Sequence, residues 1–199
     1  MNLLNKCRVY LAGPVERDAN ATSWRNKIRP LLENFGIIVW DPLNKPNWVH
    51  PLDGSKQRAD IVLLENYMRF SNEQDPNNKT SDCSDLWTDA VARNKEVRDV
   101  GLRLATAADF IICYVGGPTV GTFEEISEAN KQRKPILFFG LPKLDSAWRF
   151  AQFFRHTKCF FKDIEELIEY LKSIDNGMAN VNNLEWIFLP GKWTGKHES

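Results

Sequence analysis

Apolar residues run continuously, rather than in alternation with polar ones, at several places along the chain: Arg8-Val9-Tyr10-Leu11-Ala12, Ile37-Ile38-Val39-Trp40, Asp109 to Val115, and Pro135-Ile136-Leu137-Phe138-Phe139. Each run stops at a turn signal: Gly13-Pro14, Asp41-Pro42, Gly116-Gly117-Pro118 and Gly140 respectively. Short apolar runs bounded by Gly and Pro predict strands buried on both faces. Cys159-Phe160-Phe161 predicts a last short strand. Between the strands the spacing becomes helical. Trp24, Ile28, Leu31, Leu32 and Phe35 predict a helix over Asn20–Asn34, in which Pro30 is a blemish that can kink it, and which Gly36 ends. Leu86, Ala90, Val97, Val100 and Leu104 predict a helix to Ala107. Others are expected from about Phe123 to Lys131, from Ser146 to Arg155, and from Ile164 to Ser173 with Asp163 as cap.

Strands that alternate with helices predict an α/β fold: one doubly wound, mostly parallel sheet of the Rossmann-like or flavodoxin-like kind. The reading takes residues 1–199 as a single domain with an irregular insertion over 43–84 and an apolar tail over 175–199. The insertion is rich in Pro, Asn, Asp, Gly and Ser, with a short helix expected from Arg58 to Phe70 and an exposed loop at Asp75 to Thr80. So long an irregular stretch is usually functional or mobile. Trp186, Ile187, Phe188 and Trp193 make the tail too apolar to hang free; it is expected to pack on the domain or on a second subunit. In such sheets ligands bind at the carboxyl ends of the strands, so the informative segments are those after Tyr10 and after Val115.

Charge narrows the function classes. Lysine plus arginine and aspartate plus glutamate each number 26. That balance argues against a polymeric nucleic acid as partner, which needs a basic surface, but leaves room for one small anionic ligand. Cys7, Cys83, Cys113 and Cys159 form no CxxC pair and are expected to be reduced thiols of a cytoplasmic protein. His50, His156 and His197 show no metal-ligand spacing, and neither a metal nor a cofactor is expected. No run of about 18 apolar residues predicts a membrane span, and the opening Met1 to Lys6 does not read as a signal peptide.

The segment Gly116 to Glu125 carries the densest chemistry. A buried strand enters a glycine-containing turn and then a helix, so free N–H groups and the helix dipole meet there and can hold an anion. Thr119 and Thr122 add hydroxyl donors, and Gly121 lets a ligand come close. The turn is neither a Walker loop nor a dinucleotide fingerprint. A plainer reading stands beside this one: Thr122-x-x-Glu125 has the form of a capping box, and both readings can hold together. After the first strand, Gly13 and Pro14 could admit a ligand to the backbone and Arg17 could pair with a phosphate; an ordinary turn and a solvated arginine explain them equally well. Asp85, Trp87 and Asp89 read as a helix start, Arg98 and Arg103 as surface charges, and Trp186 and Trp193 as packing anchors.

Two of these segments together carry a family resemblance. Val9-Tyr10-Leu11-Ala12-Gly13-Pro14 resembles the opening strand and loop of the nucleoside 2-deoxyribosyltransferases, and Val120 to Ala129 resembles that family's second motif. Residues 8–42 and 85–171 are covered. The resemblance implies that Glu125 is a nucleophile, that Tyr10 lies against it, and that Asp99 stands near the base and could protonate or hold it. It also implies a homo-oligomer. At the position of Thr119 the transferases carry an aspartate, whereas the related N-glycosidases of nucleoside 5′-monophosphates carry a small hydroxyl residue. Thr119 can donate to a phosphate that an aspartate would repel, which tilts the expectation toward a phosphorylated substrate or a hydrolytic outcome. The insertion and the tail have no clear counterpart in the compact members.

The expected substrate is a small nucleoside or nucleotide. The expected reaction breaks its N-glycosidic bond through a glycosyl ester on Glu125, followed by transfer to a second base or to water. The competing classes are a hydrolytic 5′-monophosphate N-glycosidase, a nucleotide sensor that keeps the pocket without chemistry, and a structural subunit whose motif is only a capped helix.

Overall fold

A computed structural model describes residues 2–14, 22–44, 84–116, 120–140, 150, 152–153 and 159–189, with backbone only at 84–91, 93–94, 97 and 120. Its strands are β1 (Arg8–Ala12), β2 (Ile38–Trp40), β3 (Phe110–Tyr114), β4 (Ile136–Phe139) and β5 (Phe160–Phe161). The helices are α1 (Ser23–Glu33), α2 (Ser84–Ala107), α3 (Val120–Lys131) and α4 (Ile164–Asp175). The strands form one sheet in the order β2-β1-β3-β4-β5, and every pairing is parallel. This is the expected doubly wound α/β architecture, with its strand order reversing between β1 and β3.

The continuous apolar runs have a physical cause in the inner strands: β1, β3 and β4 bury both faces, whereas β2, expected to be buried, lies at the sheet edge with Ile38 exposed and Val39 and Trp40 half-buried. Val9, Leu11, Phe110, Ile112, Leu137 and Phe139 point to one side, where Trp24, Ile28 and Leu32 of α1 and Leu167, Ile168 and Leu171 of α4 cover them. Tyr10, Ala12, Ile111, Cys113 and Phe138 point to the other, against Ala105, Ile126 and Ala129 of α2 and α3. Tyr10 pairs with Ile111 and Ala12 with Cys113 across β1 and β3. The period of two along each strand therefore aims Tyr10 at the face that α3 covers.

The tail up to residue 189 packs on the domain, one of the two places expected for it. Trp186 is fully buried, with its ring 5.6 Å from that of Phe110 and 5.4 Å from that of Phe188. Pro30 does not end α1; it sits on the exposed face, where water can take over the carbonyl it leaves unbonded. Gly36 closes that helix at φ +73°, as its position after the last apolar residue predicts. Asp163 caps α4, accepting from the Glu166 N–H at 2.9 Å. Cys7, Cys113 and Cys159 are buried and take part in no disulfide. The expected helix at 58–70, most of that at 146–155, and Cys83 and Trp193 lie outside the described residues.

Candidate active site

The site is built where the strand order reverses. Tyr10 is the third residue of β1 and is fully buried. From it the phenol Oη donates to Oε1 of Glu125 at 2.6 Å. Glu125 lies on α3 and keeps partial access to solvent. Burial, and then the adjacent Glu125 carboxylate, push the Tyr10 phenol well above its ordinary range, so it holds its proton and remains a donor. Burial likewise raises the Cys113 thiol, and Glu125 adds to it. That thiol therefore stays protonated at neutral pH and is no competing nucleophile.

The wall over this pair is Gly101 of α2. A Cβ built there would lie 3.3 Å from Tyr10 Oη and 3.5 Å from Glu125 Oε1. Glycine in a helix interior costs about 1 kcal/mol relative to alanine, and close approach to the Tyr10–Glu125 pair is what that cost permits. A Cβ at Gly121, in the first turn of α3, would meet no described atom within 4 Å, so that side of the helix start is open.

The helix begins at Val120, ahead of Thr122. Thr122 is thus inside the first turn and is not the cap, which corrects the capping-box reading of Thr122-x-x-Glu125: the Glu125 carboxylate is turned to Tyr10. Thr122 itself is 2% exposed. Asp99 is partly buried on α2, and among the described contacts none joins it to Tyr10 or Glu125. Asp99 precedes Gly101 by two residues, about 200° around the helix, so the two leave α2 on opposite sides. Glu124, the neighbour of Glu125, faces outward and pairs with Arg98 at 2.6 Å; that contact holds its carboxyl below the usual range.

The floor of the site joins Gly13, a candidate from the sequence, to Tyr114, Arg25 and Asp41, which the sequence does not mark as site residues. Gly13 packs so closely that a Cβ would stand 3.0 Å from the Trp24 ring and 3.3 Å from the Tyr114 Cβ. The Tyr114 ring fills the space a side chain at Gly116 would need, and Gly140, at φ +95°, borders the same ring. Arg25, 1% exposed, donates to the carbonyl oxygens of Gly13 and Pro14 and pairs with Asp41 at the end of β2. An arginine at a core-facing position of α1 and the Asp41-Pro42 stop were the available signals; nothing local says that they meet. Arg17 and Thr119 lie outside the described residues.

Among the described residues no group of three or more His, Cys, Asp or Glu could hold a metal ion, and no helix is long and apolar enough to cross a membrane. No protein-family model matches this chain, and no characterised protein is significantly similar to it.

Proposed function

We propose that the protein cleaves or transfers the N-glycosidic bond of a nucleoside or nucleoside 5′-monophosphate, with Glu125 as nucleophile. One observation carries the reading: the Tyr10 phenol and the Glu125 carboxylate meet at 2.6 Å at the point where the strand order reverses. A carboxylate with one oxygen fixed by a neutral donor has its remaining lone pairs directed. The absence of a side chain at Gly101 keeps that oxygen from being covered.

In the proposed reaction a Glu125 oxygen attacks C1′ of the sugar through an oxocarbenium-like transition state. The C1′–O bond to Glu125 forms as the C1′–N bond breaks, and the base departs with the bonding pair and takes up a proton. Water or a second base then attacks C1′ from the opposite face and releases Glu125 as a carboxylate. Tyr10 orients the nucleophile and stabilises it as the ester forms and breaks. Proton delivery by Asp99, and phosphate binding by Arg17 and Thr119, rest on the resemblance alone. Gly13 and Pro14, which follow β1, and Gly121 and Thr122, in the first turn of α3, are proposed as substrate contacts.

The reading places the protein in the cytoplasm as a homo-oligomer. The buried, unoxidised thiols of Cys7, Cys113 and Cys159 fit a reducing compartment, and the exposed Leu184 and Ile187 are apolar surface that a second subunit would cover. Base release from a panel of deoxynucleosides and their 5′-monophosphates, with and without a free acceptor base, tests the activity. Release without acceptor marks a hydrolase; a new nucleoside formed only with acceptor marks a transferase. Ligand-induced thermal stabilisation with no turnover would replace the enzyme by a sensor.

A further inference from the structure

Arg25 is the one buried cation among the described residues. Burying a guanidinium is costly unless its donors meet acceptors, and a buried ion pair is weak evidence for stability alone. Its contacts here are specific. Nη1 donates to the Pro14 carbonyl at 3.1 Å and Nη2 to the Gly13 carbonyl at 3.0 Å. Nε lies 3.3 Å from Oδ1 of Asp41, and the Trp24 ring lies 4.3 Å from the guanidinium carbon. Asp41, 4% exposed, is itself held by Arg29 at 3.1 Å and by the Leu43 N–H at 2.9 Å. Gly13 and Pro14 follow β1 directly, so the backbone that Arg25 grips is continuous with the strand that carries Tyr10.

We propose that Arg25 is a positioning residue of this site: it clamps the loop leaving β1 and sets a fixed positive charge behind the Tyr10–Glu125 pair. The proposal rests on the reading of Glu125 as nucleophile. The field of Arg25 lowers the Tyr10 phenol against the stronger effects that raise it; burial lowers the guanidinium itself, and the Asp41 carboxylate first, then Glu125, oppose that.

The groups around Glu125 sort by element. Tyr10 on β1 and Cys113 on β3 are kept neutral by burial, and α2 presents the uncharged Gly101. Asp99, also on α2, lies on the opposite side of that helix from Gly101. On α3 itself, Glu124 is paired with Arg98 and Glu128 with Lys131. Among the described residues that leaves Arg25 on α1 and Asp41 after β2 as the buried charges coupled to the pair, and they have opposite signs.

The opposite signs supply the test. With carboxyl-labelled glutamate, the titration of Glu125 is followed by 13C NMR in the full chain, its signal assigned by loss in E125Q. R25Q is expected to raise the Glu125 midpoint, and D41N to lower it. R25K keeps the charge but cannot fork to two carbonyls, so it should leave the midpoint near wild type and lower kcat about tenfold. A merely structural network would move both midpoints in the same direction or neither, and that result overturns the proposal, as does an R25K enzyme with full kcat. If R25Q does not fold, D41N and R25K decide it. A wild-type protein that turns over no substrate removes the nucleophile reading, whereas the carboxyl titrations still report on the charge of Arg25.

Discussion

Tyr10 and Glu125, 115 positions apart in the chain, share a hydrogen bond of 2.6 Å, with the phenol as donor and the carboxylate as acceptor. Phenylalanine fills nearly the same volume as tyrosine, so Y10F should fold. It removes the Tyr10 donor to Oε1, and kcat should fall by about 10- to 100-fold with a smaller change in KM. Steady-state kinetics of Y10F check this; unchanged kcat would make the contact structural only.

Gly101 leads to a prediction in which stability and activity part. An alanine there gains about 1 kcal/mol of helix propensity but places its Cβ 3.3 Å from Tyr10 Oη. G101A should keep its melting temperature within a few degrees yet lose activity, and G101V should lose more. Parallel thermal melts and turnover rates would show it; a loss of fold matching the loss of activity would count against a site at this face.

Alkaline pH should destabilise the protein, and the sign follows from the buried acids. Burial pushes the Cys7 thiol from its ordinary 9.0 up to about 12. The Cys113 thiol and the Tyr10 phenol are raised as well. Each of these groups holds its proton more tightly when folded. Its contribution is therefore complete below its unfolded value and is lost as pH rises through the folded one. Urea unfolding between pH 8 and about 12 should show stability falling from about pH 9 upward. C113A should flatten that slope, since a cavity cost that does not depend on pH lowers the curve without changing its slope.

The tail segment up to residue 189 is integral to the core. Trp186 is fully buried against Phe110 and Phe188. W186A should cost about 3–5 kcal/mol, read as a lower urea midpoint. A change within about 0.5 kcal/mol, the usual range for surface positions, would mean that the tail is not docked as described.

The fold was largely legible because burial of both strand faces leaves a mark that needs no partner to be read. The runs at Val9, Ile111 and Leu137 are apolar without alternation, and Gly36 and Asp163 stand where helix ends and starts require them. The partnership of Tyr10 with Glu125 was legible only through a resemblance, since no local pattern joins residues so far apart. Arg25, Asp41, Gly101 and Tyr114 were not legible as site residues. Each is ordinary in its own segment and acquires a role only where α1, α2 and the carboxyl ends of β1 to β3 converge. The capping-box pattern misled for the opposite reason: its spacing is right, but α3 starts at Val120, and tertiary contact draws Glu125 to Tyr10.

The central claim is that Glu125 forms the bond to C1′. Its most direct test compares wild type and E125Q for base release from the nucleoside and 5′-monophosphate panel, with mass spectrometry of the quenched wild-type protein. The account predicts base release by wild type, a glycosyl adduct on the peptide containing Glu125, and a loss of at least about a thousandfold in E125Q. Near-normal release by E125Q, with no adduct on the wild-type peptide, would contradict it.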